Sequence, residues 1–149
     1  MTATLLRALA ISALFGGSVH AGEIAISEAW ARATPPGASV AGGYLTIDNR
    51  GSSDDRLLSV QSAASEAVEI HSMSMDGGVM RMRRLDEGLA LPAGASVRLE
   101  PGGLHLMFIR PSSPFNEGTV VRATLTFEHA GTQTVEFPVR SGQDGGHAH

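Results

Sequence analysis

Two histidines and five methionines between His71 and Met107 are the residues of this chain best suited to chemistry. They fall as His71-Ser-Met73-Ser-Met75, then Met80-Arg-Met82, then His105-Leu-Met107, and the only other methionine is the first residue. There is no cysteine. Imidazole and thioether without thiolate form a donor set for a soft metal ion. Zinc is bound by thiolate, imidazole and carboxylate, and calcium and magnesium take oxygens. Thioether together with imidazole selects copper, above all Cu(I). A blue-copper electron carrier uses a cysteine thiolate, which this chain lacks, so the donors suit holding copper rather than cycling it. Methionine is also an adaptable core filler, and any one of the five read alone is packing. Their clustering on strand faces shared with histidine favours ligation.

Strands must position these residues. Asp76-Gly77 favours a two-residue type I′ turn, whose central residues both need positive φ. That turn sets Met73 opposite Met80 and His71 opposite Met82, and it is the expected register. Moving the turn one step, to Gly77-Gly78, sets Met73 opposite Met82 and Met75 opposite Met80. Alternation puts residues 71, 73 and 75 on one face, and 80 and 82 likewise. Opposed Cβ atoms lie about 4.5–5.5 Å apart, within reach of one ion. In the later strand His105 and Met107 share a face, while Leu104, Leu106 and Phe108 share the other and belong in a core.

The wider chain reads as β-structure. Strands are expected over 23–32, 39–49, 56–62, 67–75, 79–84, 95–99, 103–110, 118–128 and 132–140, many of them separated by clusters such as Thr34-Pro35-Pro36-Gly37 and Pro101-Gly102-Gly103. Val121, Ala123, Leu125 and Phe127 alternate with Arg122, Thr124, Thr126 and Glu128, as a half-buried strand does. No segment keeps a helical period. Many short strands with regular turns define an antiparallel sandwich or barrel.

Residues 1–21 read as a secretory signal: Arg7 is the positive flank, Leu5 to Phe15 is largely apolar, and Val19-His20-Ala21 fits a cleavage site. Residues 22–140 then form one domain with a real core, and 141–149 a flexible Gly/His tail. Removing Arg7 leaves ten arginines, no lysine and fifteen acids, a formal charge of −5. That balance argues against nucleic acid as a partner. Absence of lysine removes Schiff-base chemistry, and absence of cysteine removes disulfides and thiol nucleophiles. Ser72 and Ser74 lie on the strand face opposite His71, so no nucleophile–base set is evident and no enzymatic activity is expected. His147 and His149 in the tail are candidates for an additional ion, Cu(II). Arg81, Arg83 and Arg84 form either a solvated face or a docking point for an acidic partner. Trp30 and Tyr44 are expected in the core or at an edge, and His129 has no evident partner.

The segments AWARATPPGASVAGGYLTIDN, VEIHSMSMDGGVMRMR and LPAGASVRLEPGGLHLMF resemble the PCuAC family of periplasmic copper chaperones across nearly all of the chain after the signal. The family pattern, a His, a Met about ten residues on and then His-x-Met, falls here on His71, Met82, His105 and Met107. Met80 and Met73 are less central candidates, Met80 because it shares a face with Met82. The resemblance implies a cupredoxin-like Greek-key β-barrel that binds one Cu(I) at an exposed site. It also implies a periplasmic location and delivery of copper to cytochrome c oxidase subunit II, for CuA assembly, or to another acceptor. A thioredoxin-like copper chaperone or thiol reductase is an implied further partner. Both histidines must be deprotonated to bind, so affinity is expected to fall with pH. Two other readings use the same residues: a periplasmic copper buffer or resistance protein without a dedicated acceptor, and a secreted β-sandwich module whose methionines form a contact patch.

Overall fold

The computed structural model describes residues 23–142. The expected signal at 1–21 and the histidines of the tail lie outside the described residues. Ten strands are present: β1 (Ile24–Arg32), β2 (Val40–Asn49), β3 (Asp55–Gln61), β4 (Ser65–Asp76), β5 (Val79–Arg84), β6 (Leu89–Leu91), β7 (Ser96–Leu99), β8 (His105–Pro111), β9 (Val120–Phe127) and β10 (Gly131–Arg140). The nine expected strands are all found, with ends within two residues. Leu89–Leu91 was not anticipated, because three residues are too few to show a period.

Seven strands close on themselves in the order β4-β8-β2-β1-β10-β9-β3. The ring is completed by β3 against β4 through one pair, Val60 with Val68. β5 extends the sheet beyond β4, β6 extends it beyond β3, and β7 pairs with β2. All pairings are antiparallel except β1 with β10. Closure removes most of the edges that would otherwise offer unpaired backbone groups, and leaves β5 as a free margin.

The core follows from alternation. Leu45, Ile47, Leu57, Leu91, Leu99, Leu106, Phe108, Leu125 and Phe137 are almost completely buried. Phe108 meets Phe115 and Phe137 edge to face, with centroids 5.3 and 6.0 Å apart, the geometry favoured by aromatic quadrupoles. At the end of the barrel near β3 the polar groups are satisfied from within. Buried Asn49 donates from Nδ2 to the carbonyls of Ser53 (3.0 Å) and Leu91 (2.8 Å), and its Oδ1 accepts from the Gly51 amide (3.0 Å). The Asp55 carboxylate accepts the backbone N–H groups of His129 (2.9 Å) and Ala130 (3.0 Å), which pins the turn between β9 and β10.

Candidate metal centre

Three strands bring the donors together. On β4 and β8, His71 is paired directly with His105 and Glu69 with Met107. On β4 and β5, Met73 is paired with Met82, Met75 with Met80 and His71 with Arg84. Opposed residues share a face, so Glu69, His71, Met73, Met82, Arg84, His105 and Met107 occupy one side of this sheet. The other side carries Ile70, Leu106 and Phe108 into the core.

The hairpin register corrects the expected one. Gly77 and Gly78 form the turn, with φ of 59° and 83°, and Asp76 pairs with Val79 as the last strand residue. A type I′ turn needs positive φ at both central positions, which costs glycine nothing and costs a residue with a Cβ more. Placing two glycines there leaves Asp76 extended, where its carboxylate lies 3.4 Å from Arg81. Met82 consequently faces Met73, not His71, and Met80 moves one pair farther out.

A cleft of about 430 Å³ opens on this face and is walled by Met73, Met82, His105 and Met107, with Tyr44, Val40 and the Pro101-Gly102 turn opposite. Met82, at 46% exposure, lies at its outer edge, and His105, at 6%, at its base. The His71 ring is not on the wall. It stands beside His105, with ring centroids 5.5 Å apart. Met75 and Met80 are exposed on the hairpin and do not line the cleft.

Each imidazole has one nitrogen committed and one available. His105 Nδ1 lies 2.8 Å from the Gly103 carbonyl. A carbonyl only accepts, so Nδ1 carries the proton and Nε2 keeps its lone pair. His71 Nε2 lies 3.2 Å from Oε2 of Glu69, so in the neutral ring Nε2 is the donor and Nδ1 keeps the lone pair. That Nδ1 is buried with no hydrogen-bond partner. A polar atom left in this state costs about 1–3 kcal/mol, and an ion accepting its lone pair would offset that cost. Two neutral imidazoles and several neutral thioethers suit a soft monovalent cation. Among the described residues, no group of three or more His, Asp or Glu side chains is placed to hold a metal ion.

Sequence reasoning missed several contributors. Glu69 is two residues from His71 on the same strand, so alternation could have placed it at the ring. Tyr44 is buried at the cleft, its ring 4.6 Å from that of Trp30 and 5.9 Å from the Arg32 guanidinium carbon. It fits because Gly42, paired with Met107, has no side chain: a Cβ there would stand 2.5 Å from the Tyr44 hydroxyl. Alternation along β2 sets Gly42 and Tyr44 side by side, and the β2–β8 pairing adds Met107 to them. Among the arginines, Arg84 faces the site, whereas alternation turns Arg81 and Arg83 to the other side of the hairpin. His129 is exposed, 3.8 Å from Glu128.

A closed all-β, cupredoxin-like barrel with a cleft of soft donors beside its edge hairpin defines a class of small metal-handling domains. Residues 24–139 match the family described as LpqE-like, putative lipoprotein LpqE-like. The copper-bound PCuAC domain from PmoF2 is 30% identical and superposes with a TM-score of 0.69, covering 80% of this chain and 94% of that one. The chain belongs to the PCuAC family. A putative lipoprotein, Lxx21020 of Leifsonia xyli subsp. xyli, is 29% identical over 93% of this chain and 92% of its own length. The solution structure of apo-DR1885 from Deinococcus radiodurans shares the fold at 21% identity, with a TM-score of 0.62 over 97% of this chain and 95% of that one.

Proposed function

We propose that this protein is a copper chaperone of the bacterial periplasm that carries one Cu(I) on His71, Met82, His105 and Met107. Met73 stands opposite Met82 as a further thioether within the cleft. The observation that carries this reading is the pair of adjacent imidazoles, each with one nitrogen engaged by an acceptor and the other free, beside a wall of methionines. Relatives described as putative lipoproteins support an envelope location.

The cargo is exchanged by ligand substitution. Met82 is the donor most open to solvent and His105 the least, so an incoming thiolate displaces the thioether on the rim first and the imidazole at the base last. Thioethers carry no proton at any ordinary pH and keep the site soft in acid. The acceptor in this reading is cytochrome c oxidase subunit II during CuA assembly, with a thioredoxin-like protein keeping the acceptor thiols reduced.

The test is an anaerobic Cu(I) titration against a chromophoric chelator. One tight equivalent is expected, lost when His105→Ala is combined with Met107→Leu. Transfer of that equivalent to the reduced soluble domain of oxidase subunit II is then expected. Failure of the wild type to compete for Cu(I) would overturn the carrier reading. Tight binding without transfer would favour a copper buffer.

A further inference from the structure

We propose that Glu69 is a positioning residue that fixes the His71 ring so that Nδ1, not Nε2, is presented to the cargo. The inference rests on His71 being a ligand, as argued above. Glu69 lies on β4 two residues before His71, on the same face, and its Oε2 is 3.2 Å from His71 Nε2. Its other oxygen is 3.6 Å from Nη1 of Arg84, whose Nε is 2.8 Å from Oδ1 of Asp86. Arg84 is also the residue paired with His71 across the hairpin. The chain Asp86–Arg84–Glu69–His71 thus starts at the exposed margin and ends on the ring. An ionised carboxylate has no proton to donate, so it selects the tautomer with hydrogen on Nε2. The opposite nitrogen is the one that is buried and unpartnered. The arrangement has the form of an outer-shell carboxylate that orients a ligating histidine and raises its basicity. His105 is held by the Gly103 carbonyl through Nδ1 instead, so the two rings present different nitrogens, Nδ1 from His71 and Nε2 from His105.

Two measurements on the intact protein test this. Long-range proton–nitrogen NMR spectra of the metal-free protein should show His71 with hydrogen on Nε2, and Glu69→Ala should give a mixture of tautomers without changing backbone resonances remote from the site. Cu(I) competition should show Glu69→Ala weakened about 10- to 100-fold. Glu69→Gln, whose amide oxygen still accepts, should fall between Glu69→Ala and wild type in both readouts. An unchanged tautomer and affinity in Glu69→Ala, where His71→Ala loses tight binding, would overturn the role of Glu69 alone. If His71→Ala binds Cu(I) like the wild type, the ligand assignment fails and the role of Glu69 with it.

Discussion

The chain contains two long antiparallel hairpins built from the same alternating pattern, and they serve opposite ends. β9 and β10 are joined by eight residue pairs, from Phe127 with Gly131 to Val120 with Pro138. Val121, Ala123, Leu125, Phe127, Val135 and Phe137 all point into the core, and the turn is gripped from outside by Asp55. β4 and β5 are joined by six pairs, yet every residue of β5 is exposed and space is open around both turn glycines. The inner face of the first hairpin is filled with hydrocarbon that water cannot follow. The corresponding face of the second carries sulfur and imidazole at the border of solvent. Regular pairing is therefore enough to place side chains in register, and what backs the ladder decides whether they stabilise the fold or remain available for ligand exchange.

The sharpest way to separate the two roles is to cut into the first hairpin. Leu125→Ala should lower unfolding free energy by about 2–5 kcal/mol, read by denaturant titration, while Cu(I) affinity of the folded protein stays within a factor of two or so of the wild type. Asp55→Ala, which leaves the His129 and Ala130 amides without their acceptor, should cost about 1–3 kcal/mol and also leave affinity unchanged. The second hairpin should respond the other way. Met73→Leu with Met82→Leu preserves volume and should move stability by less than about 1.5 kcal/mol, but should weaken Cu(I) binding at least tenfold. Within this second hairpin, the smallest effect on Cu(I) affinity belongs to the turn. Gly78→Ala meets no neighbouring atom, so its cost is the left-handed backbone alone, about 1–2 kcal/mol, with a modest loss of affinity as the Met73–Met82 register loosens. A large loss of global stability in the methionine pair would merge the two hairpins into one structural role.

Alternation made most of the barrel legible, because the strands of the closed ring each have one face in a common core and many of the strands are separated by turns rich in glycine or proline. The pairing of distant strands was not legible. Nothing local in Gly42-Gly43-Tyr44 announces that Gly42 faces Met107. The hairpin register depended on whether Asp76 or Gly78 would take a positive φ, a difference of about 1–2 kcal/mol that the dipeptide preference alone decided wrongly. The grouping of His71, His105 and Met107 was accessible, since strand faces follow from parity. The contact between Glu69 and His71 was equally accessible by parity, since residues two apart on a strand share a face.

The single Val60–Val68 pair that closes the ring gives the barrel a seam. β4 is sewn to β8 by six pairs, the last of them His71 with His105, and to β3 by only one. The spacing of the two imidazoles is therefore set by the densely paired β4–β8 ladder and not by the seam, on whose far side neither ring depends.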